Sequence, residues 1–218
     1  MAEIITLDIE TENTGYDILN DNKSILSIQL LSNSKKIFYS GSEKNSIDEG
    51  KKELISHIEQ GNKFLGFNIR NFDIPMLKKF LDIEIPSEQI IDISEMKPVS
   101  EMKRKIGRKR ISLFQVCQQI GIDAGHKTDM DNLAKQFLNL PNVVELAKKG
   151  AHEWVTTLGW GYDFSFDLAK KRIAGGMAIF DSFKEFVNSG GSEDSLFYRY
   201  AMSDVDVEHA VYEKLEHI

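Results

Sequence analysis

The sequence predicts a single α/β domain in which helices cover a mixed β-sheet. Three observations predict it: β-rich segments come first, helices and strands then alternate, and the rest of the chain is mostly helical. Strands and helices in this order bury their apolar faces best as layers around one sheet. The chain has 218 residues, which suits one substantial domain and is short for two.

The first half of the chain supplies the strands. Asn33–Ser34 separates two β-rich runs and predicts a hairpin. Ser46 and Glu49 have the spacing of a capping box, which opens a helix. The predicted elements are strands at 3–10, 25–31 and 35–40, a helix after Ser46, a strand at 63–68, a helix with Pro75 in its first turn and a strand at 89–93.

The second half is predicted to be helical, with one exception. Residues 97–110 show no apolar period, so we expect a loop or arm there. The glycines at 159–161 and 175–176 are interpreted as hinges or tight turns. The predicted helices lie near 112–120, 128–139 and 142–157, around Phe180–Val187, and from Ser192 onward with Glu193 and Asp194 in the first turn.

Composition limits the class of protein. Hydrophobic residues make up 41% and charged residues 28%, the balance of a globular chain, and no apolar run is long enough to span a membrane. The N-terminus lacks the order of a signal peptide, so we expect a cytoplasmic protein that does not engage membranes. Cys117 lies in an apolar helical stretch, where a buried, unreactive thiol is expected.

Charge is distributed unevenly. The formal net charge is −7, which argues against a protein that coats nucleic acid. Residues 97–110 (KPVSEMKRKIGRKR) nevertheless carry seven Lys/Arg and one Glu, a net of +6. This basic segment is either a nucleic-acid contact or a solubilising loop. The candidate contacts are Lys103, Arg104, Lys105, Arg108, Lys109 and Arg110.

Asp8 and Glu10 lie two residues apart near the end of the first predicted strand. Because side chains alternate along a strand, both carboxylates point to the same face. They repel each other unless a cation lies between them, and oxygen-only ligation suits Mg²⁺ or Mn²⁺. A pair of solvated acids at a strand end would show the same spacing.

Two further patterns place carboxylates at element ends. Asp73 follows the strand that ends in Asn68 and opens a helix, where it is either a simple N-cap or part of a site at the carboxyl end of the strand. In the last helix, Tyr200 and Asp204 are four residues apart, which places them on one helical face. An Asp near the packing side of that helix requires a partner, and a metal ion would supply it.

These residues carry a resemblance to a known family. LDIETE, GFNIRNFD and YRYAMSD, in this order, resemble the DEDDy subgroup of DnaQ-like 3′–5′ exonucleases, which have a ribonuclease-H-like fold. GFNIRNFDIPML looks most like the exonuclease domain of family-B DNA polymerases. The sister subgroup has a histidine five residues before the last Asp; here that position is Arg199.

The resemblance implies a role for each matched residue. Asp8, Glu10 and Asp204 would hold a metal ion that activates water, and Asp8 with Asp73 would serve a second ion, while Tyr200 would orient the water or the phosphate. Two divalent ions about 3.5–4 Å apart stabilise both oxygens of a phosphoryl displacement. Three residues beside the motifs are expected to contact nucleic acid: Thr11, Asn68 and Phe72.

The expected activity is removal of nucleotides from 3′ ends as nucleoside 5′-monophosphates. Single-stranded DNA is the favoured substrate because of the middle motif, and the alternative is an RNA exonuclease of the RNase D type. A degenerate nuclease fold that binds without cutting, or a protein-binding scaffold, would not need the acidic residues. A protein partner in replication or repair is possible.

The aromatic run Trp160, Tyr162, Phe164 and Phe166 either stacks unpaired bases or belongs to the core.

Overall fold

A five-stranded sheet with the strand order β3-β2-β1-β4-β5 organises the fold. The computed structural model describes residues 2–40, 46–125 and 127–217. The strands are β1 (Ile4–Asn13), β2 (Asn22–Ser32), β3 (Lys35–Tyr39), β4 (Lys63–Gly66) and β5 (Ile90–Asp92). β2 and β3 are antiparallel, whereas β4 is parallel to both β1 and β5, so the sheet is mixed. The predicted α/β class is confirmed.

Eight α-helices accompany the sheet in the described part of the chain. They are α1 (Ile47–Glu59), α2 (Asp73–Leu81), α3 (Lys97–Lys105), α4 (Leu113–Ile120), α5 (Lys127–Phe137), α6 (Pro141–Leu158), α7 (Tyr162–Asn188) and α8 (Leu196–Glu216). None of the helices in the described residues combines the length and the apolar character needed to cross a membrane.

The chain divides into two compact units. The first comprises Met1–Ile9, Ser27–Gly125 and Tyr200–Ile218, and the second comprises Glu10–Leu26 and His126–Arg199. The boundary therefore falls inside two continuous strands, β1 and β2. The expectation of a single domain stays a prediction.

The hairpin and the capping box form as the sequence predicts. Asn33 and Ser34 both have positive φ, 46° and 65°, which is the backbone of a two-residue turn that matches the twist of its strands. At the start of α1 the Ser46 hydroxyl accepts a hydrogen bond from the amide of Glu49, whose carboxylate accepts one from the amide of Ser46. A second capping box, of Ser112 and Gln115, opens α4.

The core of the first unit lies between β4, β5, α3, α4 and α8. Its buried residues are Leu65, Ile93, Val99, Ile111, Leu113, Val116, Cys117, Val207, Val211 and Leu215. Cys117 is fully buried in α4, which confirms the predicted burial, and its lack of reactivity stays a prediction. The packing anchors α8 beside β4, and α8 carries Asp204.

The basic segment is partly helical, so the expectation of a loop or arm over all of 97–110 was wrong. α3 covers Lys97–Lys105, with Pro98 at its first turn, where a missing N–H costs nothing. Val99 is fully buried and fixes the helix to the core. Met102 is half-buried against the same core, and two apolar residues are too few to show a helical period in the sequence. Residues 106–110 lie outside the helix.

The region around the second glycine pair is also helical, which corrects the interpretation of these glycines as hinges. α7 runs through Gly175 and Gly176 for 27 residues. A Cβ at Gly176 would lie 2.5 Å from the carbonyl oxygen of Asn13, so this glycine permits close packing of α7 against the end of β1. Aromatic residues at 160–166 concealed the beginning of this helix, because their alternation does not follow a helical period.

The last helix begins later than expected. Gly190 and Gly191 have φ of 74° and 82°, and the chain turns before α8 starts at Leu196. The Ser195 hydroxyl accepts a hydrogen bond from the amide of Tyr198, as an N-cap does. Glu193 and Asp194 therefore precede the helix and do not lie in its first turn.

The second unit has its own core. Tyr16, Val143, Ala147, Trp154, Ala169 and Ile173 form it. Trp160 meets Trp154 edge-to-face with ring centroids 5.7 Å apart, and Trp160 packs against this core. Phe164 is 62% exposed. The aromatic run is thus divided between core and surface, and base stacking stays a prediction for its exposed part.

Candidate active site

The sheet positions two of the candidate carboxylates. On β1 the apolar residues Leu7 and Ile9 are buried on one face, and Asp8 and Glu10 alternate with them on the other. Asp8 is half-buried, and Glu10 is only 6% exposed. Strand periodicity therefore places both carboxylates side by side, as the sequence predicts.

The third carboxylate comes from α8. Asp204 is 4% exposed, and one oxygen of each of Asp8, Glu10 and Asp204 lies within 4.8 Å of the others. These three residues form the carboxylate cluster. Three acids so close together and so little exposed repel one another strongly when all are ionised.

Asp73 lies beside the cluster without being part of it. It is the first residue of α2 and is 5% exposed, and its Oδ1 accepts a hydrogen bond of 3.3 Å from the backbone amide of Ile9, the residue between Asp8 and Glu10. Burial raises its pKa to about 7, and the negative charges of Asp92 and Asp204 act in the same direction, against the hydrogen bonds that Asp73 accepts. The raised pKa of Asp73 therefore reflects its burial first and the neighbouring acids second.

Tyr200 stands one helical turn before Asp204 on α8. Its side chain is half-buried, and its carbonyl oxygen accepts a hydrogen bond from the Ser203 hydroxyl. The four-residue spacing places the phenol on the helical face that carries Asp204.

Two buried acids were missed by the sequence analysis. The Asp92 carboxylate, at the end of β5, accepts hydrogen bonds from the amides of Asn68, Arg70 and Ser94. Glu208 accepts one from the amide of Phe67. The spacing of four residues from Asp204 to Glu208 was a visible signal for the second acid. A lone Asp at a strand end gave none for the first.

The residues expected to contact nucleic acid beside the motifs differ in accessibility. The Thr11 side chain is buried, and its hydroxyl donates to Asn22 Oδ1 at 2.5 Å. Asn68 adopts the left-handed conformation, with φ 63°, and its side-chain oxygen accepts from Asn71. Phe72 is half-buried at the N-cap of α2. Asn68 and Phe72 thus offer side-chain surface, whereas the hydroxyl of Thr11 is engaged inside the protein.

The basic segment presents its charges to solvent. Lys103 is half-buried, and its Nζ donates to the carbonyl of Ser94 at 2.6 Å. Within the residues that the structure describes, none of these cations forms a salt bridge, so their charge is available to an anion. The exposed members are Arg104, Lys105, Arg108, Lys109 and Arg110.

Comparison with protein families identifies the fold. The model of a family in the RNase_H superfamily (RNase_H_2) matches residues 5–137, more than half of the chain. The chain belongs to the RNase H superfamily. No curated protein gave a significant match. The match contains Asp8, Glu10 and Asp73 and ends before α8. The fold brings Asp204 to Asp8 and Glu10, and Tyr200 lies on the same helix as Asp204.

Membership and geometry together define what the site can do. RNase H-like domains bind nucleic acid and usually hydrolyse it. The carboxylate cluster offers only oxygen ligands, two of them nearly excluded from water, which is the donor set that hard divalent cations prefer. The arrangement is therefore that of a nuclease-type fold with a cluster compatible with divalent metal binding.

Proposed function

We propose that this protein is a metal-dependent 3′–5′ exonuclease that releases nucleoside 5′-monophosphates. The observation that carries the proposal is the carboxylate cluster: Asp8 and Glu10 from β1 converge with Asp204 from α8. Asp73 hydrogen-bonds to the strand between the first two. Four acids of the DEDDy-like motifs, which are far apart in the sequence, thus lie at or beside the carboxylate cluster.

The donor set fits Mg²⁺ or Mn²⁺. The three cluster carboxylates and Asp73 bring four negative charges when ionised, and two divalent ions would balance them. The raised pKa of Asp73 is due first to burial and then to the negative charges of Asp92 and Asp204, and a cation beside this carboxyl would offset both. When bound, two such ions stabilise the attacking and the leaving oxygens of a phosphodiester.

The other proposed roles belong to the protein's own side chains. Asp8, Glu10 and Asp204 would hold one ion, and Asp8 with Asp73 would serve the second. The Tyr200 hydroxyl would donate to the attacking water or to the scissile phosphate, fixing the line of attack. Asn68 and Phe72 would contact the terminal nucleotides, and the backbone at Thr11 would contribute where its hydroxyl cannot.

Substrate binding is proposed to depend on the basic segment. Phosphates attract cations regardless of sequence, and the exposed Arg104, Lys105, Arg108, Lys109 and Arg110 provide that attraction in a chain of net charge −7. The likeness of GFNIRNFDIPML to the exonuclease domain of family-B polymerases favours single-stranded DNA over RNA. A cytoplasmic location and a protein partner in replication or repair also stay predictions.

One experiment tests the activity, its polarity and the substrate together. Oligonucleotides of DNA and of RNA, labelled at the 5′ end, are incubated with the protein and Mn²⁺, and the products are separated by size. We expect a ladder that shortens one nucleotide at a time from the 3′ end, strongest for single-stranded DNA and absent with chelator. A ladder on RNA alone would transfer the proposal to the RNase D type.

A circular single-stranded DNA is the matched control for polarity, because it has the same bases and phosphates and no 3′ end. We expect it to remain intact. Cleavage of the circle would show an endonuclease and contradict the proposal, as would the absence of any product with Mg²⁺ and with Mn²⁺.

A further inference from the structure

The segment between β4 and α2 is held by two acids that the proposed reaction does not use. This segment, Phe67–Phe72, is the connection; it contains Asn68 and leads directly to Asp73. The amide of Phe67 donates to Glu208 Oε1 at 3.1 Å, and the amides of Asn68 and Arg70 donate to Asp92 at 2.9 and 3.2 Å. Three backbone donors of the connection are thus bound by buried carboxylates.

These bonds fix a backbone that would not otherwise be preferred. Asn68 has φ 63°, a left-handed conformation that glycine adopts freely and that asparagine adopts more readily than most other residues but still less readily than a right-handed one. Leaving this conformation would break the hydrogen bonds that the amides of Phe67, Asn68 and Arg70 donate to these buried carboxylates, and a buried polar group without its partner is costly. Asp92 also accepts from Ser94, which ties the connection to the end of β5. The connection therefore has one defined path into α2.

Glu208 joins the connection to the helix of the carboxylate cluster. Asp204 and Glu208 are four residues apart on α8, so one helical face carries both. Asp204 belongs to the cluster, and Glu208 holds the residue that begins the connection to Asp73. The side chain of Glu208 thus couples the placement of Asp204 to the placement of Asp73.

We propose that Glu208 and Asp92 are positioning residues, which hold no metal ion and set the placement of Asp73 and Asn68 relative to Asp204. The inference rests on the proposed function, since it concerns the same site. Groups that hydrogen-bond a metal ligand typically change metal affinity or activity 10- to 100-fold when they are removed, and these two acids act one step further away, through the backbone that leads to Asp73, so we expect an effect at the lower end of that range. Glu208 is the better residue to change first, because its hydrogen bond to the connection comes from a single backbone amide, that of Phe67.

The test compares Glu208→Ala with Glu208→Gln. The glutamine keeps an oxygen that can accept from the Phe67 amide, whereas alanine leaves that amide without it. Mn²⁺ affinity is measured by calorimetric titration, and amide hydrogen exchange is measured at residues 67–70 without metal. We expect Glu208→Ala to bind Mn²⁺ about 10-fold more weakly and to exchange these amides faster, while Glu208→Gln stays within about 3-fold of the wild type.

Glu213→Ala is the matched control, because Glu213 is an exposed acid on the same helix that faces His209 instead of the connection. It should leave affinity and exchange unchanged. A Glu208→Ala protein that is folded, melts at a lower temperature and yet keeps wild-type Mn²⁺ affinity and amide exchange would overturn the proposal, because Glu208 would then act on stability alone.

If Glu208→Ala does not fold, Asp92→Asn tests the same proposal. Asparagine keeps the volume and one acceptor oxygen but cannot accept from all three amides. Weaker Mn²⁺ binding with faster exchange at residue 70 supports the proposal, and unchanged values overturn it. Because these measurements use no substrate, a protein that binds Mn²⁺ but cuts nothing refutes the proposed exonuclease and leaves this inference standing.

Discussion

The two most charged regions of the molecule are built in opposite ways. The carboxylate cluster and Asp73 bring acidic groups together, with Glu10, Asp204 and Asp73 nearly excluded from water and Asp8 half-buried, and strand β1, helices α2 and α8 and a hydrogen bond to Ile9 fix their positions. The basic segment is positive, and its last five cations are exposed and form no salt bridge within the described residues. Buried like charges destabilise a fold unless a cation joins them, whereas exposed cations cost little and attract anions from a distance. The first region is therefore expected to decide chemistry, and the second to decide affinity.

The strongest test of this division removes one cluster carboxylate. Asp8→Ala should abolish nucleotide release, because the proposed metal ligands on β1 are reduced to Glu10. The protein should stay folded, since Asp8 is half-buried and its loss relieves repulsion. Product ladders measure the activity and circular dichroism the fold. Ser24→Ala, on the neighbouring strand β2, is the control. Undiminished activity of Asp8→Ala would refute the proposed mechanism.

A change at Tyr200 distinguishes two functions of the acidic region, orientation of the water or phosphate and binding of the metal ion. Tyr200→Phe removes only a hydroxyl, so we expect turnover to fall by about 10- to 10³-fold, the effect of losing one positioned hydrogen bond. Mn²⁺ affinity should be unchanged, because every carboxylate remains. Tyr198→Phe, two residues earlier on α8, is the matched control and should be active. If Mn²⁺ affinity falls together with turnover, Tyr200 has a structural role.

The basic segment should show the opposite pattern, a loss of affinity without a loss of chemistry. Arg108→Ala/Lys109→Ala/Arg110→Ala should weaken binding equally for all sequences. It should also flatten the dependence of log affinity on log salt by about two units, since each phosphate contact contributes about 0.7 for single strands. Turnover at saturating substrate should change little. Fluorescence anisotropy at several salt concentrations measures both quantities.

A triple variant of lysines elsewhere in the first unit, Lys51→Ala/Lys52→Ala/Lys79→Ala, removes the same charge and controls for net charge. It should keep the wild-type salt dependence. If the two triple variants behave alike, the basic segment is only a solvated surface, and affinity must come from another region.

The sequence predicted these two regions unequally well. Asp8 and Glu10 could be placed together because strand alternation is local, and Ser46, Asn33 and Ser34 acted through equally local geometry. The acids that stabilise the connection could not be predicted, because backbone amides far away in the chain supply their partners.

Longer-range packing explains the remaining errors. Val99, with Met102 beside it, packs α3 against the core, and close contact with Asn13 explains Gly176 inside α7. Neither effect is visible in a local pattern. The strands and the pairing of Asp8 with Glu10 are encoded by short-range periodicity, whereas the approach of Asp204 and the helical borders depend on tertiary contacts.

The smallest expected effect concerns the free energy of unfolding without metal. Asp73→Asn keeps an oxygen for the amide of Ile9 and removes a buried charge. Burial and neighbouring acids raise the pKa of Asp73 from 3.8 to about 7, so its favourable contribution to folding is complete below about pH 4 and is lost as the pH rises through 7. The asparagine variant avoids that loss. We therefore expect it to be more stable than the wild type by on the order of 1–3 kcal/mol at pH 8 in chelator, and similar at pH 4.

Urea unfolding at both pH values measures this difference, with Asp82→Asn as the control, because Asp82 is an exposed acid at the other end of α2. Saturating Mn²⁺ should reverse the order at pH 8, since the ion stabilises a folded state that offers Asp73 as a ligand and stabilises the asparagine variant less. Equal stabilisation of both proteins by Mn²⁺ would separate Asp73 from the metal. The cluster of Asp8, Glu10 and Asp204 would then bind the ion without it, and the raised pKa of Asp73 would be a consequence of burial and of its acidic neighbours with no role in metal binding.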